Sequence, residues 1–288
     1  MTTQKELKAA VRGTYDLQKL RIMAGNRIVA NFYAKQGIEP GKKPEDDKKV
    51  KKIIDALKQD YERLTDGLIT MPTKHNFKGS EIISDYLEFV LVMQYVDILK
   101  SETQSFNSLK SFVKDFDIWN HYLIDVKGIG PAIGGVLISE IDISKAKYPS
   151  SLIKWAGVDV AEDGKARSKR TEHLVDREYI DKKGKLKTKK SITFNPFLKT
   201  KLLGVLGPSF LKAGQTSPYA KIYYDYKNRL ENHKIYKDTT KGHRHKMANR
   251  YMVKMFLIDL HINWRSIAGL PVSDPYHIAK LGYQKHAA

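Results

Sequence analysis

The sequence predicts a mainly α-helical fold with a single β-hairpin. Apolar residues recur at three- and four-residue spacing through much of the chain, which is the period of helices that bury one face. Two glycines, Gly128 and Gly130, separate two such stretches and predict a helix-hairpin-helix. Residues 174–194 alternate loosely around a Gly-containing turn and predict a basic β-hairpin. The expected divisions are a coiled-coil-like helical arm, a domain that contains both hairpins, and a tail: 1–118, 119–270 and 271–288.

The arm is expected to consist of long antiparallel helices. A helix over 14–35 carries an apolar stripe, and a break rich in glycine and proline follows it. Acidic residues then suit the positive end of a second helix, whose apolar seam is coiled-coil-like. Ser80 is expected to cap a long third helix, and another helix is expected over 106–118. These features are the stripe Leu17, Leu20, Ala24, Ile28 and Phe32, the break Gly37, Pro40, Gly41 and Pro44, the acids Glu45, Asp46 and Asp47, and the seam Val50, Ile53, Ile54, Leu57, Tyr61 and Leu64.

Two roles are open for this arm. It is either an internal scaffold or a dimerising element, in which case the N-terminal helices would form a homo-oligomer. No tandem repeat is visible in the sequence.

The chain carries a strong positive charge. Its 288 residues include 51 Lys and Arg against 32 Asp and Glu, a formal net charge of +19. A clustered excess of this size favours a polyanionic partner, although charge also serves simply to keep a surface soluble. Hydrophobic residues make up 41% and aromatic residues 10%, so a real core is expected. The absence of cysteine excludes disulfides, thiol catalysis and Cys-ligated zinc.

No feature of the sequence predicts a membrane partner. The N-terminus, MTTQKELKAAVRG, has no apolar core and is not a secretory signal. The most apolar window, residues 86–99, is too short for a membrane span and contains Glu88 and Asp97. We therefore expect a cytoplasmic, nucleoid-associated protein.

The turn from Lys127 to Pro131 has the residue types of an anion-binding hairpin. Gly128 and Gly130 permit positive φ and remove side chains that would block a phosphate. Pro131 suits the first turn of the next helix, where free N–H groups and the helix dipole attract an anion. Ile129 is expected to plug the hairpin into the core. The alternative is a structural corner, and the glycines at 134 and 135 are then expected to allow close helix packing.

Residues 126–159, VKGIGPAIGGVLISEIDISKAKYPSSLIKWAGVD, resemble the C-terminal domain of insertion-sequence transposases that act through a bridge RNA. The pilin-gene-inverting recombinases share that domain. Other segments resemble the family's Asn-x-x-Leu-basic helix start, its Tyr-rich basic helix, its closing basic and apolar helix, and the helix that leads into its coiled coil. These segments are Asn195 to Lys199, 218–230, 241–265 and 18–27, so the resemblance covers roughly 14–265.

The resemblance implies a DNA-handling domain of a mobile element. Family members carry an N-terminal nuclease-like domain with four acidic residues, and this sequence is expected to begin after the position of that domain. Their nucleophilic serine follows the segment that matches 156–159, whereas residues 160–165 contain no serine here. Ser168 is the nearest candidate for a catalytic nucleophile, and its alternative role is that of a loop serine. Catalysis would bring a requirement for Mg²⁺, whereas binding requires no cofactor.

Clustered cations predict where a nucleic acid binds. Residues 165–190 contain 11 Lys or Arg against 4 acidic residues, although an edge hairpin protected by lysines would look similar. A second cluster opens the last long helix, where His243 and His245 are expected to contact phosphate rather than a metal. Tyrosines at 219, 223 and 226 are expected in the core rather than stacked on bases. The predicted contacts are Lys127, Gly128, Ile129, Gly130, Lys165, Arg167, Lys169, Arg170, Lys182, Lys183, Lys185, Lys187, Lys189, Lys190, Lys241, His243, Arg244, His245 and Arg250.

Together these patterns predict sequence-tolerant DNA binding through backbone phosphates, by an accessory or degenerate transposase-like protein of a mobile element. An active serine-type recombinase that works with a partner or a guide RNA is one alternative, and an RNA-binding module is another.

Overall fold

The fold is mainly α-helical, as the sequence predicts. The computed structural model describes residues 1–38 and 47–273, and 64% of the chain is helical. Within those residues the sheet has two strands. The helices are α1 Gln4–Lys35, α2 Asp47–Thr65, α3 Tyr86–Phe112, α4 Asp117–His121, α5 Pro131–Glu140, α6 Pro149–Trp155, α7 Pro196–Lys201, α8 Gly207–Ala213, α9 Pro218–Glu231 and α10 Lys241–Ile267, and the strands are β1 Val175–Ile180 and β2 Leu186–Ser191.

The chain divides into two compact units. One unit comprises residues 9–109, and the other comprises residues 1–8 together with 110 onwards. The first boundary falls near the start of α1 and the second near the end of α3, nine residues before the predicted one. Most of the predicted tail, and the acids at 45 and 46, lie outside the described residues. No helix in the described part of the chain is long and apolar enough to cross a membrane.

The unit formed by residues 9–109 has its core between three helices. Ala24 and Ile28 of α1 pack with Leu57 and Tyr61 of α2 and with residues of α3. The apolar seam of α2 is therefore used inside the unit, as expected of a scaffold helix. Leu20, predicted on the buried stripe, is instead 49% exposed.

The start of α3 corrects a prediction about Ser80. The helix begins at Tyr86, and the side chain of Asp85 accepts a hydrogen bond from the N–H of Glu88 at 2.9 Å. Ser80 instead donates its hydroxyl to the buried carboxylate of Asp60, which also accepts the N–H of Ile83 at 3.1 Å. Ser80 therefore closes the loop before α3, and a nearer aspartate acts as the cap. The helix predicted over 106–118 is the continuation of α3, followed by a 3-10 turn and α4.

The second unit is built around α5. Eight of its ten residues, from Ile133 to Glu140, are buried. A Cβ atom at Gly134 would lie 2.5 Å from the ring of Trp119, so this glycine allows α4 to pack directly on α5. The predicted close packing at Gly134 is confirmed. The element before the glycine turn is short, because α4 has five residues and a 3-10 turn over 123–125 follows it.

Helices α9 and α10 pack side by side with aromatic residues between them. Tyr219 stacks on Phe210 with ring centroids 4.6 Å apart and donates its hydroxyl to Asp259 at 2.9 Å. Tyr219 and Tyr223 are both only 5% exposed, so the predicted core positions of these two tyrosines are confirmed. Tyr226 is half-buried and stacks on Tyr251.

The β-hairpin forms where the sequence predicts it. The antiparallel register runs from Val175 opposite Ser191 to Ile180 opposite Leu186. Gly184 closes the turn with a φ of 74°, a conformation that favours glycine. Every residue of both strands is exposed except the half-buried Ser191, so the ribbon presents both faces to solvent.

Candidate nucleic-acid interface

The glycine turn is anchored to α8 on one side and open on the other. Gly128 has a φ of 99°, and a Cβ atom there would lie 2.8 Å from the ring of Phe210. Its carbonyl accepts the hydroxyl of Ser209 at 2.7 Å. Because α8 occupies the space of the missing side chain, a phosphate cannot approach Gly128 from that side, and the predicted phosphate contact at this residue stays a prediction for its other side. Ile129 is buried, as predicted for a plug.

The open side of the turn is the start of α5. Gly130 is exposed, and no atom lies within 4 Å of the position that its Cβ would take. In the described part of the chain, the N–H groups of Ala132 and Ile133 donate to no acceptor, since the first bonded amide is that of Gly134, which donates to Gly130. The side chain of Lys127 is exposed beside them. The start of α5 thus combines an unpaired amide on the half-buried Ala132, a second on the buried Ile133, and the exposed cation of Lys127.

The two faces of the β-ribbon differ in charge. Side chains on alternate residues share a face, and the register places Arg177, Tyr179, Lys187 and Lys189 together. We call this the basic face; its strand residues include three cations and no acid, and Asp181, just beyond the end of β1, pairs with one of the three, Lys187. The opposite face, called the mixed face, carries Asp176, Glu178 and Lys190 among its residues.

The basic face brings like charges directly opposite one another. Arg177 pairs with Lys189 across the ribbon, an arrangement that destabilises a sheet when no counter-ion is present. Among the described residues, neither side chain has a carboxylate within salt-bridge distance. The Lys189 ammonium lies 4.8 Å from the centroid of the Tyr179 ring. On the mixed face, by contrast, Lys190 is paired with Asp176 at 2.9 Å.

The tip of the ribbon is held by Asp181. Its carboxylate receives the Lys187 ammonium at 2.8 Å and the backbone N–H groups of Lys183 and Lys185 at 2.8 and 3.0 Å. These donors, with Lys187 foremost, hold the pKa of Asp181 below its ordinary value. The exposed side chains of Lys182, Lys183 and Lys185 are left pointing out of an ordered turn.

The cationic cluster at the start of α10 is only partly available to a ligand. Lys241 and His243 are exposed. Arg244 is buried and donates to the carbonyls of Lys237 and Thr239, so it fixes the preceding loop, and its assignment as a phosphate contact is wrong. His245 is exposed at the surface, but its Nδ1 lies 2.7 Å from the hydroxyl of Tyr223.

The loop that contains Ser168 holds a serine, a histidine and an aspartate in line. Ser168 Oγ lies 3.0 Å from His173 Nδ1, and His173 Nε2 lies 3.2 Å from Asp163 Oδ2. The backbone N–H of Ser168 donates to the same Nδ1 at 2.9 Å, so two donors share one lone pair. His173 is buried, and the pKa of Asp163 is lowered, first by the backbone N–H of Lys165 and then by His173. Lys165, Lys169 and Arg170 are exposed around this loop.

A compact cluster of cations lies beside this loop, and we call it the cation pocket. Arg167 donates to the buried carboxylate of Asp159 at 2.7 Å. Lys199, in the last turn of α7, donates to the carbonyl of Arg167. Arg250 reaches from α10 to the carbonyl of Gly157 at 3.4 Å. The remaining member is Lys254, one turn further along α10 and half-buried.

The charges in the cation pocket influence one another. Burial and the neighbouring guanidinium groups of Arg250 and Arg167 lower the pKa of Lys199 to about 8. Burial also lowers the pKa of Arg250, and burial with repulsion from Arg250 lowers that of Lys254. Asp159 opposes all three shifts, because its negative charge favours the charged form of each cation.

Sequence reasoning placed Arg167 and Arg250 among the phosphate contacts but missed the pocket. The sequence feature that indicates the pocket most clearly is Lys254. Arg250 and Lys254 are one helical turn apart in an otherwise apolar stretch of α10, and no acid lies three or four residues from either. Arg177 was likewise missed, although its spacing of two from Tyr179 puts both on one face of a strand.

No family model matches the chain, and neither a curated protein nor a solved structure matches it.

Proposed function

We propose that this protein binds duplex DNA through its backbone phosphates with little regard for sequence, as an accessory or degenerate transposase-like protein of a mobile element. The observation that carries the proposal is the basic face of the ribbon. Arg177 and Lys189 repel one another across the strands, and no carboxylate in the described part of the chain lies within salt-bridge distance to offset them. A phosphate between them supplies the missing counter-charge.

The shape of the ribbon favours DNA over duplex RNA. The major groove of B-form DNA admits a two-stranded ribbon, whereas that of A-form RNA is too narrow and deep for side chains to enter. Cationic contacts to phosphate carry no sequence information, so the affinity is expected to be similar for unrelated sequences. The unpaired amide of the half-buried Ala132, at the start of α5, offers a further phosphate contact.

The test is to shorten the ribbon. Residues 177–189 are replaced by Asn-Gly, a strong hairpin signal, between the paired residues Asp176 and Lys190. Because the replaced residues are exposed, apart from the half-buried Asp181, the variant should keep the helical circular dichroism and cooperative unfolding of the parent. Its affinity for a 30-bp DNA duplex should fall, and the slope of log affinity against log salt should flatten by roughly 0.9 for each lost phosphate contact. An unchanged slope in a folded variant would contradict the proposal, and equal binding of duplex RNA by the parent would favour the RNA alternative.

A second candidate function is DNA strand cleavage by Ser168, and the line of Ser168, His173 and Asp163 favours it. In such a reaction Ser168 Oγ attacks a phosphodiester and its proton passes to His173. As the P–O bond breaks, the leaving strand oxygen takes that proton from His173, and the other strand end stays esterified to Ser168. The described residues bring together no group of three His, Asp or Glu side chains that fits a metal ion, so we assign no step to Mg²⁺.

Covalent chemistry distinguishes the two functions. The protein is incubated with end-labelled supercoiled, linear and single-stranded DNA and then denatured. A protein–DNA adduct that is lost in Ser168→Ala and reduced in His173→Gln would establish cleavage. Binding alone predicts no adduct and equal affinity of Ser168→Ala and the parent.

A further inference from the structure

The cation pocket contains more positive charge than its own acids neutralise. Within the described residues, Asp159 is the carboxylate bound in the pocket, and Arg167 is paired with it. Lys199, Arg250 and Lys254 have no salt bridge to any described carboxylate. Among the described residues, Arg250 and Lys199 donate to backbone carbonyls, and the Lys199 ammonium also lies 4.7 Å from the centroid of the Phe194 ring; none of these partners carries a negative charge.

This arrangement is costly in the free protein. Removing a cation from water disfavours its charged form unless an opposite charge compensates. All three side chains are half-buried, and the pKa of each is lowered chiefly by burial. Three neighbouring cations that cannot be solvated fully or paired internally are the arrangement expected of a site whose counter-ion is a ligand.

The pocket is also positioned by rigid structure. Asn195 caps α7 by accepting the N–H groups of Phe197 and Leu198 at 3.1 Å, which fixes the helix that carries Lys199. Gly157 has a φ of 64°, and a Cβ atom there would lie 2.5 Å from Phe194. Two of the segments that form the pocket, the start of α7 and the turn at Gly157, are therefore held in place by local contacts, as preorganised ion recognition requires.

We infer that the cation pocket binds one phosphate monoester, the phosphorylated end of a nucleic-acid strand. An internal phosphodiester carries one negative charge, whereas a terminal phosphate approaches two and offers three strong acceptor oxygens. Three unpaired cations match the monoester better in both charge and number of donors. The inference rests on the proposed nucleic-acid binding, but it concerns strand ends, whereas the ribbon addresses internal phosphates.

Asp159 has a supporting role in this site. Its carboxylate positions Arg167 and raises the pKa of Lys199, Arg250 and Lys254, which keeps them charged before the ligand arrives. Once bound, the phosphate supplies most of the negative charge that keeps these three cations in their charged form.

The experiment compares strand ends on one oligonucleotide. Affinities of the full chain are measured by fluorescence anisotropy for a 12-nucleotide single strand that carries a 5′-phosphate, a 3′-phosphate or only hydroxyl ends. The parent is expected to prefer at least one phosphorylated end by about tenfold or more. Lys254→Gln should reduce that preference to about one while retaining most of the affinity for the hydroxyl-ended strand. Lys246→Gln is the matched control, because Lys246 is an exposed lysine of the same helix, and it should keep the preference.

A measurement without a variant covers the case in which Lys254→Gln fails to fold. Inorganic phosphate should raise the Tm of the parent above that in chloride of equal ionic strength, because a ligand that binds only the native state stabilises it. Equal affinity for all three ends would overturn the inference, as would a preference that survives Lys254→Gln. Stabilisation by inorganic phosphate without any end preference would show a free-phosphate site instead of a strand-end site. If the parent failed to bind a hydroxyl-ended duplex, this would contradict the ribbon proposal but not the strand-end inference.

Discussion

Lys189→Gln is expected to weaken duplex DNA binding by about eightfold in 0.1 M salt. The substitution removes one cation from the basic face and keeps the length of the side chain. One lost phosphate contact flattens the slope of log affinity against log salt by about 0.9, and in 0.1 M salt this corresponds to about eightfold in affinity. Because Lys189 has no carboxylate partner among the described residues, no internal ion pair offsets that loss.

Lys190→Gln provides a closely matched control. Lys190 is the next residue of β2 and is also exposed, but it lies on the mixed face in an ion pair with Asp176 at 2.9 Å. Both variants lose one charge, yet Lys190→Gln should change the slope by less than about 0.3 because its cation is turned away from the DNA. The assay is a titration of a fluorescent 30-bp duplex at four or more salt concentrations. Equal slopes for the two variants would refute the argument from the two faces, since total charge alone would then set the affinity.

Three other substitutions or conditions test separate parts of the structure. Gly134→Ala should destabilise the fold by about 1–3 kcal/mol in urea unfolding, because the added methyl group meets the ring of Trp119. Asp60→Asn should cost about 1–3 kcal/mol at pH 7 through its weakened hydrogen bonds. Burial raises the pKa of Asp60, but its hydrogen-bond donors outweigh burial and lower that pKa overall. The ionised carboxylate therefore stabilises the parent at neutral pH, and the difference in unfolding free energy between the parent and Asp60→Asn should shrink as the pH falls through the acidic range. Affinity for a phosphorylated end should fall as the pH rises above 8. In the ligand-free protein Lys199 lies beside two arginines and one aspartate and has a pKa of about 8, so it loses its charge in that range. Lys199→Arg should remove this pH dependence, because arginine stays charged.

Local sequence patterns predicted the ribbon and the helices well. Residues 174–194 were expected to form the hairpin, and its strands run over 175–180 and 186–191. Alternation of side chains and a turn glycine are contained within some twenty residues, so no distant contact is needed to define them. The start of α5 at Pro131 follows equally local rules.

The errors have a common physical origin in contacts distant along the chain. Ser80 has the right residue type for a cap, but the carboxylate of Asp60, twenty residues earlier, takes its hydroxyl. Gly128 has the conformation expected of the turn, yet Phe210 fills the space that was assigned to a phosphate. The cation pocket draws on four separate segments, and only the unpaired cations at 250 and 254 in an apolar helix suggested it.

The central claim is that this protein holds DNA by its backbone phosphates. It is tested most directly by titrating the unmodified protein against two 30-bp duplexes of unrelated sequence over a range of salt concentrations. The account predicts affinities within about threefold of one another and a log–log slope of about −1.8 or steeper, since the basic face alone offers two cations, Arg177 and Lys189, that have no described carboxylate partner. A slope near zero, or a preference of more than about a hundredfold for one sequence, would contradict it.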